Sequence, residues 1–210
     1  MKTLFNFPLS DPYSVAPLNT IFIHQNSGPT PATTNAAVLN VGGANSIADW
    51  VFMELRTGTS GATTVQYTRA ALVQADGVIV DIDGVSPFAF PNAVAGNYFI
   101  SIRHRNHTGF RTANTDTVNS STTFLNFTDN SIPLNGSFPL KTLTPTVSVM
   151  NSGDSNSDGS VDSLDPILWE LQNGLFDDYL LNADYNIDSS VDSLDSINWE
   201  TSSGVYEELD

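Results

Sequence analysis

The sequence predicts a mainly β fold, with a β-sandwich domain over residues 1–150 and a small module of paired loops and short helices over residues 151–210. Three observations predict this division. Apolar runs of strand length alternate with turn-forming clusters in the first 150 residues. Acidic residues are concentrated in the last sixty residues, and that same stretch repeats itself with an offset of thirty.

Seven runs of β-branched and apolar residues have the length of strands. Clusters of Gly, Pro, Asn and Asp separate them, as at Gly42-Gly43 and Asp83-Gly84. Short strands in this number, with frequent turns, are typical of a two-sheet sandwich. The predicted strands are residues 20–23, 36–41, 50–55, 64–72, 78–82, 98–102 and 122–127.

The formal net charge of −16 is unevenly distributed. Residues 1–150 hold all seven Lys and Arg against eight Asp and Glu, whereas residues 151–210 hold fifteen acidic residues and no basic one. A segment with that charge is expanded by its own repulsion unless cations neutralise it. The absence of Cys excludes disulfides and thiolate metal sites. No apolar stretch approaches the roughly 20 residues of a membrane span.

The tail contains two copies of a seventeen-residue motif, with twelve identical positions. Each copy places oxygen-bearing side chains at positions 1, 3, 5, 9 and 12 of a twelve-residue loop. Calcium takes about 6–8 oxygen ligands, and an EF-hand-type loop supplies them from these positions and from the carbonyl of position 7. The sequence therefore predicts two Ca²⁺ sites. Their ligands are Asp154, Asn156, Asp158, Ser160, Asp162 and Asp165, and then Asp184, Asn186, Asp188, Ser190, Asp192 and Asp195.

Each loop is expected to lead into a short helix, and Val161 and Val191 at position 8 are expected to pair between the loops or to pack inward. Position 12 is Asp rather than the longer Glu of calcium sensors. Position 6 is Gly159 in the first loop and Ser189 in the second, where a left-handed turn costs about 1 kcal/mol. The second site is therefore predicted to be the weaker. The apolar residues at helical spacing are Leu164, Ile167, Leu168, Leu171, Leu194 and Ile197.

These paired loop–helix units resemble dockerin type I repeats, which also use Asp at position 12. The run Asp165-Pro166-Ile167-Leu168 is similar to the C-terminal tandem loops of secreted Bacteroidota surface proteins. Upstream, residues 47–56 and 96–107 look like a β module of the same proteins. The resemblance implies a dockerin-like module after a β-sandwich, calcium as the cofactor, and the bacterial cell surface as the location.

Residues 103–107 form the one concentrated basic segment. On a strand, Arg103, Arg105 and His107 would share a face. Two interpretations stay open at this point. The face binds an anion or a partner, such as a phosphate, a sugar acid or a nucleic-acid backbone. Alternatively, its arginines pair with acidic residues across the sheet. The candidate acidic residues are Glu54, Asp81 and Asp83.

Short modification motifs are also present. Four Asn-x-Ser/Thr sequons are candidate N-glycosylation sites, and the segments Asp-Thr-Val and Asp-Ser-Ile resemble Bacteroidota O-glycosylation sites. The candidate residues are Asn106, Asn119, Asn126, Asn135, Thr117 and Ser196.

The sequence lacks a nucleophile elbow, a phosphate loop and a dinucleotide fingerprint, so a non-enzymatic role is expected. Arginines in the β domain and acids in the tail would let chains meet head to tail, which generates open polymers. We therefore expect an extracellular structural protein that self-associates into a filament or surface layer. The alternatives are an adhesive or carbohydrate-binding module, with Phe88, Phe90 and Phe110 as stacking aromatics, and a dockerin-like tether to another surface protein.

Overall fold

The computed structural model describes residues 6–28 and 30–210 and confirms a mainly β fold. Short 3₁₀ helices cover residues 12–14, 18–20, 36–40 and 43–45. The strands and α-helices of the described residues are β1 (Ile47–Thr59), β2 (Ala62–Gln74), β3 (Ile79–Val80), β4 (Gly96–Arg103), β5 (Phe110–Arg111), β6 (Asp116–Val118), β7 (Lys141–Thr144), β8 (Val147–Val149), α1 (Asp165–Gln172) and α2 (Ser193–Ser202).

One antiparallel sheet dominates the first 150 residues. Its order is β3-β2-β1-β4-β5, and β6 also pairs with β4. The two thirteen-residue strands β1 and β2 form its central hairpin, with a bulge between Leu55 and Arg56. Gly58 lies just beyond this bulge with φ +119, and a Cβ there would lie 2.4 Å from the carbonyl oxygen of Ala62. Only glycine fits that approach of the two backbones.

Both faces of the sheet are covered, which explains why β1 is buried over most of its length. Alternate side chains of a strand point to opposite faces. Trp50 and Phe52 therefore belong to one hydrophobic core, whereas Val51 and Met53 belong to the other. The first core is closed by the N-terminal segment, which contributes Phe7, Tyr13, Leu18, Phe22 and Val38.

The second sheet of the predicted sandwich is not formed within residues 6–28 and 30–210, where only the β7-β8 hairpin lies outside the main sheet. Of the predicted strands, residues 20–23 lie at the end of the 3₁₀ helix over 18–20, residues 36–41 largely form the 3₁₀ helix over 36–40, and residues 122–127 form no strand. Local capping explains the second case, because the Asn35 side chain accepts a hydrogen bond from the N–H of Ala37 and starts a turn. These segments cover the sheet as irregular chain.

The tail packs directly against the sheet domain. Residues 151–153 run beside residues 106–108, where the N–H of Thr108 donates to Asn151 at 2.9 Å and the N–H of Gly153 donates to Asn106 at 3.1 Å. The Ser157 hydroxyl also donates to the carbonyl of Arg105 at 2.5 Å. The change in composition near residue 150 is therefore a change in local architecture, and the two parts share an extended contact.

Substitution of Trp50 tests the assignment of the first core. It is fully buried, stacks on Phe7 with centroids 6.2 Å apart, and donates from its indole N–H to the carbonyl of Pro8 at 3.0 Å. We expect Trp50→Ala to lower the free energy of unfolding by about 3–5 kcal/mol in denaturant titrations, because it leaves a large cavity. Val85→Ala, at a residue that is 74% exposed, is the matched control. Equal effects of the two substitutions would contradict this assignment of the core.

Candidate metal centre

Each acidic motif folds into a loop that leads directly into a helix. In the first loop, Asp154 accepts hydrogen bonds from the backbone N–H groups of positions 5 and 6, at 3.1 and 3.0 Å. Asp184 accepts the same two bonds in the second loop, both at 2.9 Å. The two copies of the motif therefore have the same local geometry.

The carboxylate at position 12 closes each loop. One oxygen of Asp165 accepts from the N–H of position 2 at 2.8 Å, and the other accepts from the N–H of position 9 at 2.8 Å. Asp195 makes the same contacts at 2.8 and 2.9 Å. Because an aspartate is short, these bonds draw the start of the helix against the start of the loop. Helix α2 also gains a capping box, formed by Asp192 and Asp195.

Position 6 is left-handed in both loops, with φ +89 at Gly159 and φ +72 at Ser189. The expected left-handed turn at Ser189 is thus confirmed. A neighbouring side chain explains the difference between the loops, because a Cβ on Gly159 would lie 2.6 Å from Cγ of Glu207. The first loop has no room for a side chain at position 6, whereas the second does.

The carboxylates at positions 1 and 12 are buried among other acids. Burial, followed by the charges of Asp165 and Glu207, raises the pKa of Asp154 to about 8. Burial also raises the pKa of Asp184 to about 6 and raises the pKa values of Asp165 and Asp195. Residues 151–210 contain no Lys or Arg. The tail therefore lacks a positive side chain of its own that could stabilise these groups in their charged form.

The donor set of the loops fits a hard cation such as Ca²⁺. At position 3 of the second loop, Asn186 Oδ1 is buried and has no hydrogen-bond partner. A buried acceptor without a donor is costly, and a cation would satisfy it. In the described part of the chain, no three His, Asp or Glu side chains converge into a group that would hold a metal ion. Calcium binding by these loops therefore stays a prediction.

The two repeats are interlocked. Val161 and Val191 are fully buried, as expected for inward packing, but they do not pair with each other. Instead the N–H of Val161 donates to Val205, which follows α2, and the N–H of Val191 donates to Leu175, which follows α1. The tryptophans repeat this exchange. Trp169 on α1 donates to the second loop at 2.8 Å, and Trp199 on α2 donates to the first loop at 3.0 Å.

The apolar stripe expected on the two helices is largely an exposed surface. The hydrophobic core of the module is built instead from Leu181, Ala183, Tyr185 and Val191. We call the exposed side chains the helix surface; each is more than half exposed, and two pairs occupy equivalent positions of the repeat. The helix surface comprises Leu164, Ile167, Leu171, Leu194 and Ile197.

The basic segment does not form the predicted strand face, because β4 ends at Arg103 and the chain bends at residues 105–106. Arg105 is only 2% exposed. Its guanidinium donates to Asp49 at 3.4 Å and to the carbonyl of Leu181 at 3.2 Å, and it lies 4.6 Å from the centroid of the Tyr179 ring. Arg105 therefore joins the sheet to the tail and offers no surface for an external anion.

Asp49 is the centre of this buried contact. It accepts hydrogen bonds from Tyr179 Oη at 2.6 Å and from His104 Nε2 at 3.1 Å. Burial alone would raise the pKa of Asp49, but Arg105 and His104 outweigh burial and hold that pKa well below its usual range. Sequence reasoning missed this residue. The available signal was an acidic residue beside Trp50 in an otherwise apolar run.

The histidines continue the network. Asn106 Nδ2 donates to the carbonyl of Asp184 at 2.8 Å, so Asn106 Oδ1 is an acceptor and His107 Nδ1, 2.8 Å away, carries a proton. That N–H also lies 3.0 Å from His104 Nδ1, which must accept. Burial lowers the pKa of His107 well below its usual value. The chain of bonds thus runs from Asp49 to the backbone of the second loop.

The arginine-pairing interpretation describes Arg103 better than the anion-binding one. Arg103 lies 3.2 Å from Glu207 and 3.8 Å from Glu54, the latter being one of the proposed partners. Asp81 pairs instead with Arg69 at 2.6 Å. Sequence reasoning missed Glu207, which lies 104 residues from Arg103. No local pattern indicates a pair at that separation.

The candidate modification sites differ in accessibility. Asn106 is fully buried, and its amide donates to the tail, so a glycan on that nitrogen is incompatible with this fold. Asn119 and Thr117 are exposed, whereas Asn126, Asn135 and Ser196 are half-buried. The Asn135 amide donates to the carbonyl of Glu208 at 2.7 Å. Exposure therefore favours Asn119 and Thr117.

Comparisons with protein-family models, with curated proteins and with solved structures return no match. In the described ranges, no helix has the length and hydrophobicity needed to cross a membrane.

The raised pKa of Asp154 predicts a pH dependence of the calcium-free protein. Because the folded-state pKa lies above the unfolded value, the folded chain binds more protons, and this stabilisation is lost as pH rises from about 4 to about 8. In chelator, we expect the melting temperature of the unsubstituted chain to fall more steeply over this range than that of Asp154→Asn. Parallel melting curves for the two proteins would contradict the assignment.

Proposed function

We propose that this chain is a calcium-stabilised, non-enzymatic structural protein of the bacterial cell exterior, with one Ca²⁺ ion in each acidic loop. The supporting observation is that both loops close through the same seven hydrogen bonds from backbone N–H groups to aspartate carboxylates. Two copies of one bonding pattern favour a shared ligand over a chance accumulation of acids. In this proposal the two copies act as a dockerin-like pair of loop–helix units.

Charge supports calcium as that ligand. The tail carries fifteen acidic residues and no basic one, and its most buried carboxylates lie at positions 1 and 12 of the loops. Partly dehydrated carboxylates and an unpaired amide oxygen suit a hard divalent cation. Millimolar calcium outside the cell saturates even weak sites of this kind. That concentration supports an extracellular location.

The burial of the titratable groups supports a non-enzymatic role. Asp49, His104 and Arg105 resemble catalytic residues by type, but all three are buried in the contact between sheet and tail. They hold two parts of the chain together. The aromatic residues considered for sugar stacking also pack inward, because Phe110 is buried and Phe88 and Phe90 contact the second core. This packing favours the structural role over carbohydrate binding.

Self-association into a filament or surface layer stays part of the proposal, but it needs a contact other than simple charge pairing between molecules. Two arginines of the β domain, Arg103 and Arg105, contact the tail of their own chain. Any contact between copies must therefore exchange these interactions or use another surface.

A second candidate function, a tether to another surface protein, is favoured by the helix surface. Equivalent residues of the two repeats are exposed in pairs, Leu164 with Leu194 and Ile167 with Ile197, and exposed apolar patches mark interaction sites. Ile167→Lys combined with Ile197→Lys would abolish such an interaction without touching a loop ligand. If neither filament assembly nor retention at the cell surface changes in this variant, the tether function is wrong.

The calcium proposal is tested by titration calorimetry of the chelator-stripped chain. We expect two Ca²⁺ ions per chain, a loss of one site in Asp154→Asn or Asp184→Asn, and weaker binding at the second loop. Each site adds about 2.7 kcal/mol of stability when free calcium is 100 times its Kd, so calcium should raise the melting temperature. Glu200→Gln, an exposed acid of the tail outside the loops, is the matched control.

Two outcomes would overturn the proposal. One is the absence of saturable calcium uptake by a chain whose circular dichroism shows that it is folded. The other is a loss of uptake in Glu200→Gln equal to that in Asp154→Asn, because binding would then reflect tail charge rather than the loops.

A further inference from the structure

Residues 207–210, which we call the acidic segment, lie in a groove of the sheet domain lined by Arg56, Arg103 and Arg111. Arg111 is fully buried, Arg56 is 8% exposed, and the Arg103 side chain is 15% exposed. The guanidinium groups of Arg103 and Arg111 stack on Phe22 and Phe99, with 4.7 and 4.8 Å to the ring centroids. We call this site the arginine groove; aromatic stacking holds two of its cations in position.

The groove binds the main chain of the acidic segment. Arg111 donates through Nε to the carbonyl of Leu209 and through its terminal nitrogen to the carbonyl of Asp210, both at 2.9 Å. The Thr63 hydroxyl donates to the carbonyl of Leu209 at 2.7 Å, and the Asn135 amide donates to the carbonyl of Glu208 at 2.7 Å. Three successive carbonyls are thus recognised, as in the binding of an extended peptide.

The groove also binds the acidic side chains. Glu207 lies 3.2 Å from Arg103 and accepts from the N–H of Gly109 at 2.8 Å. Asp210 lies 3.1 Å from Arg56. The carboxylate of Glu208 accepts from the N–H of Ser137 at 2.6 Å. All three acids of the segment therefore have a donor on the sheet domain.

Without the acidic segment, most of the positive charge in the arginine groove would have no negative partner. Among the described residues, Glu54 is then the one acid in contact with its arginines, at 2.6 Å from Arg56 and 3.8 Å from Arg103. Arg103 Nε is already buried without an acceptor. Removing a partner from a buried charge is strongly destabilising, so the groove requires an acidic, extended ligand.

We propose that the arginine groove is a peptide-binding site that accepts the acidic segment of a second copy of this chain as well as its own. The acidic segment contacts groove residues 71–154 positions away in sequence. Every contact uses a group that the same segment of another copy also presents. Exchange of identical segments between copies conserves each contact. This inference rests on the proposed self-association and supplies its contact.

The first test uses a fluorescent peptide with the sequence of residues 203–210, in saturating calcium. Glu208→Gln combined with Asp210→Asn weakens the chain's own segment without altering a loop ligand. We expect this variant to bind the peptide at least about tenfold more tightly than the unsubstituted chain, whose own segment competes at high effective concentration. A peptide with the same two neutral residues should bind at least about tenfold more weakly, because it lacks two charge-assisted contacts.

The second test uses the cysteine-free chain. Thr63→Cys and Leu209→Cys are placed on separate molecules, mixed and oxidised; Thr63 Oγ1 lies 2.7 Å from the carbonyl of Leu209. Exchange predicts a disulfide-linked heterodimer at least about tenfold more abundant than with Val85→Cys as the partner, a residue that is 74% exposed. This control measures linkage by random collision.

Absence of saturable peptide binding to the folded variant would overturn the inference, and so would a heterodimer yield equal to the collision control. Calcium titration of the same variant separates this inference from the proposed function. Intact calcium uptake without peptide binding contradicts the groove alone. Peptide binding without calcium uptake contradicts the calcium proposal alone.

Discussion

The tail carries fifteen carboxylates and no basic residue, so a compact tail requires positive charge from outside it. Part of that charge comes from the sheet domain, where Arg103, Arg105 and Arg111 each contact the tail. These arginines are buried or nearly so, where ionic contacts are screened less by salt than at the surface. Under the calcium proposal, bound Ca²⁺ neutralises the carboxylates that the arginines do not reach. Sheet and tail are therefore electrostatically dependent on each other.

Interlocking of the repeats adds a second dependence. Each loop pairs with the segment that follows the helix of the other repeat, and each tryptophan donates a hydrogen bond to the opposite loop. Each repeat therefore depends on contacts that the other repeat provides. Under the calcium proposal, loss of one ion is expected to disturb both loops, and the buried chain from Asp49 through His104, His107 and Asn106 would carry that disturbance to the sheet.

Local features were predictable wherever neighbouring residues decide them. The long strands around Trp50 and Tyr98 follow from apolar runs of strand length, and the left-handed turn at Ser189 follows from its position in the repeat. The prediction of a second sheet was wrong because short β-branched runs do not specify a strand without a partner strand. The prediction of a basic strand face at residues 103–107 was wrong because side chains alternate between faces only along a continuous strand, and β4 ends at Arg103.

The sequence by itself determined the mainly β character of the first part and the paired acidic loops, because turn residues and repeated aspartates act through neighbours a few positions away. Only the tertiary structure decided which charges meet. Asp49 pairs with Arg105 and Tyr179, and residues 207–210 enter the arginine groove, through contacts between distant parts of the chain. Such pairs depend on how the sheet is covered and where the tail docks, and no local spacing encodes either.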